Sequence, residues 1–209
     1  MSAQTDIASD KGAINMVLNL MSLAARTAPK SFGMDCLKLS ITSEEERLKI
    51  AAMMRTIGEQ KSAAITNENK SKSVKLDWNS DAEAIEKADG LLLLGIQGRK
   101  TPGVNCGGCG FLTCSEMLKA PRMEGKDFPG PLCMYRVIDI GIAVSSAVAV
   151  AAHHFLDNRI FQKVGIAALK LGYFNGYAPV LGIGVSSSGK NVFFDRKDKA
   201  IAASLGQVE

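Results

Sequence analysis

The sequence predicts an α/β or α+β protein with helices around a modest sheet, on three observations. Two short apolar runs, Gly90 to Ile96 and Val180 to Val185, have the length of strands buried on both faces. Several other stretches repeat apolar residues at helical spacing. The 209 residues contain no internal repeat and no low-complexity tract, so residues 1–209 read as a single domain.

In chain order, Ser9 or Asp10 is expected to cap a helix whose apolar face runs through Ile14, Val17, Leu18, Met21 and Ala25, ending before Pro29. Residues 27–33 read as a loop, and Leu37 to Ile41 alternates as a strand. Ser43 followed by Glu46 forms a capping box for a helix through Leu48, Ile50, Met53, Met54 and Ile57. The polar stretch from Ile65 to Lys75 reads as a surface connection, with helical spacing resuming from Ser80 to Ala88. After the Gly90–Ile96 strand, residues 98–132 turn rich in glycine, proline and cysteine; such a long irregular stretch usually needs a function or a bound ion to order it. A helix is predicted from about Tyr135 to Phe155, and another from Phe161 to Leu171 with Gly172 closing it. Residues 186–189 form a turn after the second buried strand, and Val192 to Phe194 an edge segment.

The formal net charge of +4 is too small to argue for nucleic acid, and no basic block with interleaved aromatics occurs. The first residues are polar, with no basic-then-apolar leader, so a cytoplasmic protein with free thiols is expected. The apolar run 138–155 carries Asp139, serines and two histidines, and reads as a buried core helix rather than a membrane span.

The chemistry concentrates in the cysteines. Cys106, Cys109, Cys114 and Cys133 follow the spacing C-x2-C-x4-C-x18-C. Three thiolates on one tight loop and a fourth from a remote position is the usual ligand set of a [4Fe–4S] cluster. Gly107, Gly108 and Gly110 allow the left-handed backbone such a loop needs, and the Pro129-Gly130-Pro131 turn brings Cys133 back. A structural zinc site usually joins two short cysteine knuckles, and here the second is absent. A C-x-x-C redox dithiol would leave Cys114 and Cys133 without a role. The fifth cysteine, Cys36, reads as a small buried hydrophobe.

The run NCGGCGFLTC with its distant cysteine resembles a small four-cysteine [4Fe–4S] domain. That domain occurs in a corrinoid iron–sulfur protein and in a ferredoxin-like subunit of a membrane electron-transport complex. The segments LAARTAPKSFGMD, ADGLLLLGI, DIGIAVSSAVAVAAHHF and YAPVLGIGVSSSGKNVFFDR resemble a family of prokaryotic ferredoxin-domain-containing proteins whose body is similar to flavin nitroreductases. The resemblance implies a nitroreductase-like α+β sandwich, an inserted cysteine-rich iron–sulfur loop at residues 98–134, and a homodimer. It also implies electron transfer or a flavin-linked reduction, with an electron donor or acceptor that the sequence does not name. The alternative is a non-enzymatic binding module with a structural zinc loop.

Nitroreductases hold FMN at the dimer interface with basic side chains on the phosphate. The matching candidates are Arg26 and Lys30 in the early loop and Lys190 and Arg196 near the end, although Arg26-Thr27-Ala28-Pro29-Lys30 departs from the family's closely spaced Arg-Ser-x-Arg. Lys126 and Arg122 are placed to raise a cluster potential electrostatically. Asp139 is expected to pair with Arg136 one helical turn away, or to face a cofactor. His153 and His154 point about 100° apart on a helix, which favours a helix-end or interface role over a shared site. The Gly182-Ile183-Gly184 and Ser186–Ser188 runs carry no complete dinucleotide or nucleophile signature.

Overall fold

The computed structural model describes residues 7–194, with residues 201 and 204. The elements are α1 (Ile7–Thr27), β1 (Leu37–Ile41), α2 (Glu44–Ala63), α3 (Glu68–Glu86), β2 (Gly90–Ile96), α4 (Cys114–Lys119), α5 (Met134–His153), β3 (Asp157–Phe161), α6 (Gln162–Lys170) and β4 (Val180–Ser186). The four strands form one sheet in the order β1-β2-β4-β3, every neighbouring pair antiparallel.

Strand β2 organises the layers. All seven of its residues are buried, because side chains alternate across a strand and both faces are covered. Leu92, Leu94 and Ile96 pack with Ile183 and Val185 of β4 against α1 and α5. Leu91 and Leu93 point the other way, into a core shared with α2, α3 and α6. The result is an α+β sandwich with helices on both faces of an antiparallel sheet.

On the α6 side, two glycines of β4 are packing devices rather than ligand loops. A Cβ on Gly182 would lie 2.2 Å from Val164, and one on Gly184 would press on Phe193. Gly165 brings α6 closer still, since a Cβ there would lie 1.6 Å from the Val180 carbonyl oxygen.

The structure corrects several expectations. Ser9 and Asp10 lie inside α1 rather than capping it. The polar stretch 65–75 mostly belongs to α3, which starts where the Asn67 side chain accepts from the Lys70 amide. Its single apolar face there is carried by Val74 and Trp78, too sparse a stripe to show as periodicity. Residues 157–161 form β3, an edge strand whose Asp-Asn-Arg start hides its pairing with β4. Residues 192–194 form a turn, not an edge strand; Phe193 is still buried against Phe161. The Ser43–Glu46 capping box is present, and Gly172 follows α6 with a positive φ of 79°.

Helix α5 is buried on one face only. Ile140, Ala143, Val144, Ala147 and Ala151 pack inward, whereas Val137, Ile138 and Ile142 are exposed. By length and composition alone α5 is apolar enough to cross a membrane. Its first turn nevertheless encloses a charged pair: Arg136 donates to Asp139 at 2.7 Å, with both side chains almost wholly buried. Asp139 also accepts from the Ser31 amide and hydroxyl at 2.8 and 2.7 Å, while Arg136 donates to the Met34 carbonyl. The pair is therefore a buried bolt between α5 and the 31–34 loop, more than a local helical contact.

The close α6–β4 contact gives a stability prediction. Gly165→Ala should lose about 3 kcal/mol or more, because backbone rather than a yielding side chain opposes the new methyl. Gly12→Ala, in open space on α1, should gain about 0.5–1 kcal/mol. Urea unfolding midpoints of the two variants check both signs.

Candidate metal centre

The cysteine segment leaves the sheet after β2 and rejoins at α5, and its two ends are tied together. The Cys133 amide donates to the Gly98 carbonyl at 2.7 Å. A side chain on Gly98 is impossible without movement, since its Cβ would lie 2.1 Å from the Ala178 carbonyl oxygen. Farther along, the Met123 and Gly130 backbones exchange two hydrogen bonds at 2.9 Å each. The arm they close is fixed to the body: Asp127 pairs with Lys61 and accepts from Gln162, and Phe128 packs against the core on the α2, α3 and α6 side.

Cys106, Cys109, Cys114 and Cys133 all line one small recess, walled also by Thr101, Val104, Met117 and Tyr135. Cys106 is exposed, Cys109 and Cys114 are half-buried, and Cys133 is buried. The loop around them needs the left-handed backbone: φ is 50° at Asn105, 74° at Gly107 and 87° at Gly110. Gly108 is required for another reason. A Cβ there would lie 2.5 Å from the sulfur of Met134.

Two helices begin at this recess. Cys114 opens α4, whose cap is a Thr113–Glu116 capping box, and the Asn105 side chain accepts from the Cys114 amide at 2.8 Å. Cys133 is the N-cap of the twenty-residue α5, so the positive end of that helix dipole lies beside the cysteine recess. The Cys114 thiol is held below the ordinary thiol range. The main cause is the Asn105 backbone amide, opposed by desolvation and aided by the Thr101 hydroxyl and the Gly103 and Val104 amides. Such converging donors make a small anion cradle around one sulfur.

Arg99, which sequence reasoning did not single out, holds α4 in place. Its Nη2 lies within 3.0 Å of the Met117, Leu118 and Ala120 carbonyl oxygens, at the negative end of that short helix. Tyr135 was also overlooked. It lines the cysteine recess and stacks edge-on with Phe32 at 5.7 Å, joining the recess to the 31–34 loop. Neither residue carries a sequence signal, because each acts through a partner far away in the chain.

The expected phosphate contacts are not brought together in one protomer. Arg26 pairs with Asp35 at 2.6 Å and donates to the Leu37 carbonyl. Lys30 donates to the Ala25, Arg26 and Ala28 carbonyls, closing the end of α1. Both sit near Leu37, opposite Ile96 at the far end of β2. Lys190 follows Ser186 and Ser187, which bond Asp89 at the near end, so the two groups are separated by roughly 20 Å of strand. Arg196 lies outside the described residues. Of the other expected residues, Cys36 is buried, His153 bonds the Ala149 carbonyl at the exposed end of α5, and Lys126 lines a separate cleft with Lys61 and Trp78.

The recess generates a prediction about its sulfur chemistry. In metal-free, reduced protein with Cys106 and Cys109 replaced by serine, alkylation of Cys114 should reach half-maximal rate below the pH of an ordinary thiol. Thr101→Val should move that midpoint upward. A midpoint at or above that of a free thiol would contradict the donor arrangement.

Comparison with known proteins places the chain. Residues 129–196 match the family described as an uncharacterized protein containing a ferredoxin domain; of the four cysteines only Cys133 lies in the matched stretch. An uncharacterized protein of Archaeoglobus fulgidus is 42% identical over 180 residues, covering 86% of this chain and 90% of that one. A nitroreductase with bound FMN from Desulfitobacterium hafniense superposes with a TM-score of 0.54 at 12% identity, covering 84% of this chain and 79% of the other. Nitroreductase A of Vibrio parahaemolyticus gives a TM-score of 0.50, also at 12% identity, with 84% of this chain covering 59% of that longer one. At such identity these likenesses show the fold alone. The chain belongs to the family of uncharacterized proteins containing a ferredoxin domain, built on a nitroreductase-like scaffold.

Proposed function

We propose that this protein is an electron-transfer protein that carries one [4Fe–4S] cluster on Cys106, Cys109, Cys114 and Cys133. The observation that carries the reading is that four cysteines, separated by up to 27 positions in sequence, line a single recess. The residues fit the group. Glycines remove side chains where the loop must turn, backbone amides converge on a sulfur, and a helix N-terminus faces the negative ligands.

The cysteine spacing also favours a cluster over zinc, because a structural zinc site usually joins two short cysteine knuckles and here Cys114 and Cys133 lie far apart in the sequence.

When bound, the cluster supplies one-electron transfer. The chain's own part is to hold the thiolates, to limit water at the buried Cys133, and to fix the recess against the sheet through Gly98 and Arg99. FMN has weaker support. The fold is similar to that of a nitroreductase with bound FMN, but Arg26 and Lys30 are engaged within their own protomer, so flavin carries no step here. The reading also takes the protein to be cytoplasmic and homodimeric. The exposed apolar side chains of Met16, Leu20 and Leu23 on α1 and Val137, Ile138 and Ile142 on α5 support a second copy against that layer.

Protein purified without oxygen should contain about four irons and four sulfides per chain, and both should fall away in Cys133→Ala. One zinc without sulfide would replace the electron-transfer reading with a structural metal loop on the same scaffold. Flavin analysis of the same sample decides whether FMN is retained. For the dimer, Ile138→Glu with Ile142→Glu should convert a dimeric sedimentation coefficient to a monomeric one, and a wild-type monomer would sink that part of the reading.

A further inference from the structure

Next to the backbone that carries Cys133 lies a second depression, of about 330 Å³, lined among others by Gln97, Arg99, Lys100, Arg122, Pro129 and Leu132. The volume is within the range of small-molecule sites. Three of these residues are cationic and none is acidic. Neither Lys100 nor Arg122 has a side-chain hydrogen bond or ion pair with another described residue. Lys61, Lys163 and Arg55 elsewhere in the fold do have one.

Arg99 adds the second observation. Its Nη2 is held by the carbonyls of α4, but its Nη1 is buried with no hydrogen-bond partner among the described residues. A guanidinium drawn away from water and left partly unsatisfied is costly, and its field is poorly screened. A counter-charge in the adjoining depression offsets that cost. Lys100 and Arg122 at the rim supply the direct donors, with the forked Arg122 suited to a carboxylate or phosphate. Pro129 and Leu132 provide an apolar wall, which suits an organic ligand better than a bare ion.

We infer that this depression binds a small organic anion bearing a carboxylate or phosphate, one residue along the chain from Cys133. The inference stands on charge and shape, and holds whichever metal the cysteines carry. A ligand seated there lies beside the metal recess, separated from it by the Leu132–Cys133 and Gly98 backbone that the 2.7 Å hydrogen bond joins.

The test is calorimetric titration of the full, metal-loaded protein with inorganic phosphate and with succinate. Comparison proteins are the Lys100→Ser/Arg122→Ser double variant and a Lys126→Ser control. Both substituted positions of the double variant are exposed, and unchanged thermal melting and metal content establish that it is folded. The expected result is saturable one-site binding of at least one probe, weakened about tenfold or more in the double variant, unchanged in the control and falling with added sodium chloride. Preference for one probe identifies the headgroup. Failure of both probes to saturate, or equal affinity in the double variant, overturns the inference.

Discussion

The constraint on which the rest depends is the burial of β2 on both faces. A strand of Leu91 to Leu94 closed by glycine and isoleucine cannot sit at a wetted surface, so helices must cover the sheet on either side. Its alternation then assigns the layers, with Leu92, Leu94 and Ile96 facing α1 and α5 and Leu91 and Leu93 facing α2, α3 and α6. Because β2 lies between β1 and β4, its end is among the best-supported points of the fold. The cysteine segment starts from that end. A cysteine loop that cannot order itself through apolar burial thereby borrows its fixed frame from the core.

The same logic explains why the recess can tolerate so much irregular backbone. The left-handed residues Asn105, Gly107 and Gly110 give the loop no regular hydrogen-bond ladder. Order comes instead from discrete ties: Cys133 to Gly98 at the base, Arg99 to the end of α4, and Asp127 with Phe128 on the α2–α6 face. Each is modest alone, since a single hydrogen bond contributes about 0.5–1.5 kcal/mol. Together they leave few ways for the loop to move as a whole.

Much of this was legible in the sequence, and what was not has physical causes. The strands at 37–41 and 90–96 were readable because burial on a sheet imposes a length and a boundary. The four cysteines drew notice because an uncommon residue recurs at tight spacing, and the structure gathers all four around one recess. The first half of α3 was hidden by its position on the surface, where lysine, glutamate and serine meet solvent and only Val74 and Trp78 mark the inner face before the readable stretch with Ala82 and Ile85. β3 was hidden because an edge strand with Asp157, Asn158 and Arg159 has no apolar pattern, and its identity comes from pairing with β4. Arg26 and Lys30 were singled out as phosphate contacts by resemblance, as basic residues in the early loop that nitroreductases use. Neither position nor residue type could reveal that Asp35 and carbonyls at the end of α1 hold them within the protomer.

The buried Arg136–Asp139 pair ties these threads together. A buried ion pair is weak evidence of stability, because desolvating both charges offsets most of their attraction. Its value here is positional. Asp139 accepts twice from Ser31, and Arg136 reaches the Met34 carbonyl, so one turn of α5 clamps the early loop. That turn begins three residues after Cys133, and between the two stands Tyr135, which touches both the recess and Phe32. The early loop and the cysteine recess are therefore not independent surface features but two sides of one helix start. A change that shifts the α5 N-terminus must move both, and a chemistry shared between them would need no further hinge to keep its parts in register.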